Sequence, residues 1–212
     1  KEYVTGLLLN MIDSGMLRKK DYEKYFPSIY IDAKVALRKQ QTRDEKIMQA
    51  NKEKEDASAD DDNGYDRNYY YGSDNGLSDY TVLLMPFYEK DEKVRNIFKK
   101  LLLSKDEKVL LNTSVVLIKN NKDVPDSILQ KLAANDKYRV PLYRSLMEIK
   151  RTDKFPMAFN NPLSMAKSIL RLESDRAAFD SIVFLKKQIT YLKDSTGMVY
   201  FFKYRVKKSD DW

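Results

Sequence analysis

The side chains best suited to chemistry lie in one acidic stretch, ADDDNG, which begins at Ala59. Carboxylate and amide oxygens are the ligands that calcium prefers, and an EF-hand loop places them at fixed positions before and after a glycine. Setting Gly64 at the glycine position puts Asp61 and Asn63 at two ligand positions. However, Ala59 then occupies the first ligand position and Tyr70 the last, where a bidentate Glu is needed. The spacing excludes an EF-hand, and we predict no bound metal.

A second candidate for chemistry is Ser164, which precedes Lys167 by three residues on a predicted helix. The chain contains no His and no Cys. This removes the commonest general base, the commonest metal ligand and every Ser-His or Cys-His pair. Because a Ser-x-x-Lys spacing also arises by chance in a Lys-rich chain, we predict no catalytic residue, no cofactor and no enzymatic activity in this chain.

The composition bounds the class of protein. The chain has 212 residues, of which 42% are hydrophobic and 33% charged, and its formal net charge is +7. These proportions predict a soluble protein of one large or two small domains. The apolar run near the start, Gly6–Ile12, is far too short to cross a bilayer, so we predict no transmembrane segment. Lys1 is not an initiator Met, and we therefore expect a piece of a longer chain.

Residues 56–79 form an acidic segment that is also rich in Asn, Gly, Ser and Tyr. This composition predicts a flexible surface insertion. Tyrosine runs are unusual in such segments, because the side chain joins a large ring to a hydroxyl and suits a protein interface. We therefore single out four candidate partner-binding residues: Tyr65, Tyr69, Tyr70 and Tyr71.

Residues 1–55 are predicted to form N-terminal helices. A short helix over residues 3–17 is indicated by apolar residues on one side, Leu7, Leu8, Met11 and Ile12. Strong helix formers from Asp32 to Asp56 predict a long helix, although the alternation in IYIDAKVAL would also suit a strand. Pro27 predicts an interruption before this helix. Few apolar residues follow Gln41, so we expect the end of the helix to project into solvent or to contact a partner.

The pentapeptide KDEKV occurs twice, at Lys90–Val94 and at Lys105–Val109. Each copy leads into a segment with apolar residues at helical spacing. Ser104 and Glu107 have the spacing of a capping box, in which the Ser hydroxyl accepts a hydrogen bond from the Glu amide. We therefore predict that the repeated pentapeptide joins antiparallel helices and binds no ligand.

Two helix pairs between Tyr80 and Arg151 superimpose at a shift of thirty residues. The matched positions are Phe98 and Ile128, Leu102 and Leu132, Asp106 and Asp136, Leu110 and Val140, Thr113 and Tyr143, Val116 and Leu146, and Leu117 and Met147. Such pairs, joined by an Asp-containing turn, resemble HEAT or armadillo-type repeats, although their spacing is shorter than usual. The resemblance implies a mainly α fold of antiparallel helical pairs, a HEAT-like α-solenoid, over residues 80–178. An ordinary small helical bundle is the alternative.

The hydrophobic period changes at residues 179–212. Two alternating segments flank KDSTG, which predicts a β-hairpin with Gly197 supplying positive φ. On the second strand, one face is apolar and the other basic: Met198, Tyr200, Phe202, Tyr204 and Val206 against Lys203, Arg205 and Lys207. Since a lone hairpin is marginal in water, we expect it to pack on the helices or to join a larger sheet.

These patterns predict a non-catalytic interaction or scaffold region of a larger protein, with a protein partner. One alternative is nucleic-acid binding through the basic and aromatic hairpin, which the placement of rings and cations on opposite faces disfavours. Another is an accessory helical region of an enzyme whose catalytic domain lies outside this chain. The stretch from Val94 onward also resembles helical tails of large bacterial envelope proteins, which implies a cell-envelope location.

Overall fold

The computed structural model describes residues 8, 9, 11, 16, 18, 21, 23–56, 77–173, 179–192 and 195–206. Within these ranges the chain is mainly helical and ends in a two-stranded antiparallel sheet, which confirms the predicted fold class. The α-helices with defined bounds are α1 (Phe26–Asp56), α2 (Leu77–Leu84), α3 (Glu92–Leu101), α4 (Glu107–Lys119), α5 (Asp126–Ala134), α6 (Arg139–Glu148) and α7 (Pro162–Glu173). The strands are β1 (Phe179–Leu192) and β2 (Ser195–Val206). Short 3-10 helices cover Glu23–Tyr25, Met85–Phe87, Thr152–Lys154 and Met157–Phe159.

The chain divides into two compact units, Lys1–Ile128 and Leu129–Trp212. The predicted acidic insertion belongs to the first unit, and residues 57–76 lie outside the described residues. Its two ends are helical rather than flexible, because Asp56 closes α1 and Leu77 opens α2. Of the helix predicted over residues 3–17, the described positions 8, 9 and 11 are helical.

The long helix α1 confirms the choice of helix over strand. Its buried side chains recur every three or four residues and form one stripe: Ile29, Ala33, Ala36, Leu37 and Gln40. The predicted interruption at Pro27 is wrong. Pro27 is the second residue of α1, in the first turn, where its missing N–H has no helical partner to lose. Past Gln40 the described side chains are exposed or half-buried, as the sparse apolar pattern predicted.

The core of the first unit forms where four helices meet. Helix α1 packs on α2 and α3, and α4 packs on both α2 and α3. The buried cluster includes Ile29, Ala33, Leu37, Leu77, Leu83, Leu84, Met85, Phe87, Val94, Ile97, Phe98, Leu101, Val109 and Leu117. Phe26 of α1 lies 4.4 Å from Phe87 between ring centroids. The apolar periodicity of the sequence is therefore explained by burial in one shared core.

The two KDEKV copies begin helices in the same way. Asp91 is the N-cap of α3 and accepts a hydrogen bond from the Lys93 amide at 2.7 Å. Asp106 is the N-cap of α4 and accepts from the Lys108 amide at 2.9 Å. The final valine of each copy, Val94 or Val109, is buried. The repeat is therefore a helix N-terminus that combines a capping Asp with a core-facing Val.

The predicted capping box at Ser104 and Glu107 is wrong. Helix α4 starts two residues later than that motif requires, with Asp106 as its N-cap. The Ser104 hydroxyl accepts instead from the Asp106 amide at 3.1 Å and donates to the Asp44 carboxylate of α1 at 2.9 Å. Asp44 also accepts from the Lys105 amide at 3.0 Å. The turn before α4 is thus bound to the side of α1.

Both α4 and α6 end in a Schellman motif with a residue in the left-handed region. After α4, the Asn121 amide donates to the Ile118 carbonyl and the Lys122 amide to the Leu117 carbonyl, with φ 55° at Asn121. After α6, Lys150 takes the same place with φ 57°. Asn tolerates this conformation better than other non-glycine residues do. Lys150 is therefore the more strained of the two.

The thirty-residue superposition agrees with burial at some positions only. Leu110 and its match Val140 are both buried. Leu117 is buried, whereas its match Met147 is exposed. The mainly α class is confirmed, and the stacking of these helices as a HEAT-like solenoid stays a prediction.

In the second unit, α6 packs on α7 around the buried side chain of Arg139. The guanidinium donates to three backbone carbonyls, those of Ala133, Ala134 and Ser164, and to the Asp136 carboxylate at 2.7 Å. These acceptors take hydrogen bonds from the guanidinium N–H groups, because a buried positive charge without partners would be costly. Arg139 therefore joins the end of α5 to the first turn of α7.

The C-terminal hairpin is confirmed, with a different turn from the one predicted. Leu192 pairs with Ser195, so the strands are separated only by residues 193 and 194, which lie outside the described residues. Gly197 lies in β2 opposite Thr190, and its φ is not in the left-handed region. The prediction that Gly197 supplies positive φ is therefore wrong.

Candidate functional site

One face of the hairpin is almost entirely apolar. The register pairs Ile182 with Tyr204, Phe184 with Phe202, Lys187 with Tyr200, and Ile189 with Met198. Side chains two apart on a strand share a face, and directly paired residues share it across the strands. The apolar face therefore comprises Ile182, Phe184, Lys187, Ile189 and Tyr191 of β1 and Thr196, Met198, Tyr200, Phe202 and Tyr204 of β2.

A β-bulge in β1 assembles this face. Phe184 pairs with Phe202 and Lys186 with Phe201, so Leu185 is an extra residue without a partner on β2. Without it, strict alternation would place Lys186 on the same side as Phe184. The bulge shifts the alternation by one residue, so that Ile189 joins the same face as Phe184. The sequence carries no clear signal for the bulge, because Val183 and Leu192 break the alternation on either side of Leu185.

The apolar face is open to solvent. Ile189 is 54% exposed, Met198 43%, Tyr204 52% and Tyr191 80%. Phe184 contacts the rings of Phe202 and Tyr200, with centroids 6.0 and 6.4 Å apart. The rings thus pack along the strands, with Phe184, Tyr191 and Tyr204 exposed and Tyr200 and Phe202 half-buried. Exposed apolar patches of this extent are typical of interaction sites.

The opposite face of the hairpin carries most of its cations, and is called the basic face here. It includes Ser181, Val183, Lys186, Gln188, Thr190, Gly197, Val199, Phe201, Lys203 and Arg205. The Lys186 ammonium lies 5.1 Å from the Phe201 ring centroid, a cation–π distance. The predicted segregation of rings and cations therefore holds for β2 with one exception, Phe201, which the sequence analysis did not single out.

The residues selected for chemistry have other roles or lie elsewhere. Tyr65, Tyr69, Tyr70 and Tyr71, like the ADDDNG stretch, are outside the described residues. Lys167 binds the Asp136 carboxylate at 3.0 Å. The Ser164 amide donates to the Asn161 side chain at the start of α7, and its carbonyl accepts from Arg139. This Ser-x-x-Lys pair is thus part of the contacts that hold α6 and α7 together.

The part of the chain that the structure describes contains no cluster of three or more acidic side chains able to hold a metal ion. Among its helices, none combines the length and the apolarity needed to cross a membrane. A shallow depression with a cavity volume of about 10 Å³ lies between α2 and α4 and is lined by Leu77, Ser78, Thr81, Val109, Asn112 and Thr113. This volume is below the roughly 300 Å³ at which small-molecule pockets begin.

Comparisons with protein-family models, with curated proteins and with solved structures find no match to this chain. Among the described residues the hairpin places the largest set of exposed apolar side chains on adjacent strands. The hairpin is therefore the candidate site.

Proposed function

We propose that this chain is a non-catalytic interaction or scaffold region that binds a protein partner through the apolar face of its hairpin. The observation that carries the proposal is the exposure of paired apolar side chains, such as Ile189 and Met198, along a two-stranded sheet. A hairpin of two strands is marginally stable alone, and covering one of its faces supplies the apolar burial that it lacks.

The polar clusters of the described residues support a structural rather than a catalytic role. Asp136 is engaged by both Arg139 and Lys167, so its carboxylate is neutralised by two cations. Asp44 accepts three hydrogen bonds, from Gln40, Ser104 and the Lys105 amide. Carboxylates used in this way hold elements together.

The test compares two variants that differ only in the face they alter. Ile189 on the apolar face and Val183 on the basic face are β-branched residues of β1 with nearly equal exposure, 54% and 55%. In pull-downs from cells that make the protein naturally, Ile189→Lys is expected to lose a specific partner that Val183→Lys retains. Equal recovery of every partner by both variants would refute the apolar face as the binding surface.

Nucleic-acid binding is the second candidate, and one observation favours it. Phe201 lies on the basic face with Lys186, Lys203 and Arg205, so a ring and three cations share one accessible surface. Proteins that bind single-stranded nucleic acids usually stack bases on aromatic rings and neutralise the phosphates with nearby cations. This candidate function predicts binding that weakens steeply with salt. Fluorescence anisotropy with labelled oligonucleotides at low salt measures this binding. An affinity that the Phe201→Ala substitution leaves unchanged would refute this candidate function.

A further inference from the structure

We infer that the apolar face of the hairpin packs against the same face of a second copy of this chain. The inference rests on the proposed interaction function and names the first partner of that site. In the resulting homodimer the two hairpins lie face to face, as sheets do in a β-sandwich. The interface is isologous, so each residue of the face meets the face of the other copy.

The distribution of charge fits this arrangement. Lys186, Lys203 and Arg205 lie on the basic face, so they point away from the partner when two apolar faces meet. Only Lys187 belongs to the apolar face, where it pairs with Tyr200. Two copies of a net basic chain can therefore associate without bringing most of the hairpin cations together.

The same distribution disfavours a lipid surface as the occupant. A peripheral membrane protein places its cations beside its apolar side chains, where they reach the anionic headgroups. Here the apolar side chains, such as Ile189 and Tyr204, face one way and Lys203 and Arg205 the other. A hairpin lying on a membrane by its apolar face would hold these cations away from the headgroups.

The exposed area is sufficient for a dimer. A Phe or Tyr side chain offers about 200 Å², and roughly half of Tyr204 and most of Tyr191 are exposed. With Ile189, Met198 and Phe184 the face offers several hundred Å² per copy, by the same order-of-magnitude reasoning. Two copies together then bury roughly 1,000 Å², about the area that a specific interface must clear.

Lys187 provides a sensitive test because it lies at the middle pair of the face. In a face-to-face dimer its stem is covered, and its ammonium must reach solvent past the open edge of β1. Replacing it with Leu removes this cost and extends the apolar surface. The Lys187→Leu substitution is therefore expected to tighten self-association about tenfold, since it adds buried apolar area in both copies.

The experiment is sedimentation equilibrium of the whole chain over a wide range of protein concentration. We expect a reversible monomer–dimer equilibrium that salt does not weaken. Ile189→Lys is expected to weaken it by about a hundredfold or more, because each dimer loses two buried Ile side chains. Val183→Lys, on the other face, is expected to leave it within about threefold of the unsubstituted chain.

A monomer at every concentration would overturn the inference, as would equal effects of Ile189→Lys and Val183→Lys. If circular dichroism shows that Ile189→Lys disturbs the hairpin itself, the Lys187→Leu variant provides the test. Tighter dimerisation of this variant supports the face-to-face dimer, and weaker or unchanged dimerisation refutes it. A monomer that still loses a different protein partner on Ile189→Lys substitution would refute the homodimer while leaving the proposed interaction function intact.

Discussion

At the scale of single residues, several buried or half-buried polar side chains join elements to one another. Arg139 connects the end of α5 to α7 through backbone carbonyls, and Asp44 binds the turn before α4 to α1. Removing one partner of such a contact leaves a buried group unsatisfied, which costs more than the contact contributes. These residues are therefore important for the fold although they form no site.

Lys150 is the residue at which a single substitution should stabilise the protein. It holds φ at 57° in the Schellman motif after α6, a conformation that costs a residue with a Cβ about 1–2 kcal/mol. Glycine adopts it freely but loses more entropy on folding. Lys150→Gly should therefore raise the free energy of unfolding by about 0.5–1 kcal/mol, measured by urea denaturation.

Asn121 is the matched control, since it occupies the same place after α4 with φ 55°. Because Asn tolerates the left-handed region, Asn121→Gly should give a smaller gain than Lys150→Gly. A loss of stability in Lys150→Gly, or a larger gain in Asn121→Gly, would show that backbone strain does not govern these helix ends.

At the scale of elements, the KDEKV copy at Lys90–Val94 tests what the repeat does. Asp91→Ala removes the acceptor for the Lys93 amide at the start of α3 and should lower the free energy of unfolding by about 1 kcal/mol. Asp91→Asn keeps an acceptor oxygen and should restore most of that loss. Chemical denaturation of both variants measures the difference. If Asp91→Asn were as unstable as Asp91→Ala, the negative charge rather than the hydrogen bond would carry the effect.

Sequence patterns located these elements but not all of their contacts. The start of α3 was predictable because a capping Asp, Asp91, falls directly before an apolar period. The cap of α4 was misassigned because Ser104 and Asp106 are both good capping residues, and only the tertiary contact of Ser104 with Asp44 separates them. The composition of the apolar face on β1 was missed because it depends on the bulge at Leu185, which simple alternation does not foresee.

At the scale of the whole molecule, the helices bury many of their large apolar side chains, whereas the two-stranded sheet leaves several of its own exposed. The helical core buries large side chains such as Phe98, Leu132 and Leu146 almost completely. The hairpin leaves Ile189 and Tyr204 about half exposed. Because apolar burial is the main source of stability in folding and in association, the hairpin gains more from a partner than the helices do. This difference could not be predicted from composition, since both regions are rich in apolar residues.

The chain as a whole should be insensitive to pH near neutrality, because it has no His and no Cys and thus no side chain that ordinarily titrates there. The free energy of unfolding, measured with urea, should change by less than about 1 kcal/mol between about pH 6 and pH 8. On the acid side, stability should fall as carboxylates that are ion-paired in the fold become protonated. The hydrogen bond that Arg151 donates, together with its positive charge, lowers the pKa of Asp153. A carboxyl whose pKa is lower in the folded state than in the unfolded state stabilises the fold at pH values above its unfolded-state pKa. This stabilisation is lost as the pH falls through the folded-state pKa. Arg151→Ala should accordingly raise the pKa of Asp153 in an NMR titration of its carboxyl carbon, and a large stability change near neutral pH would contradict the prediction.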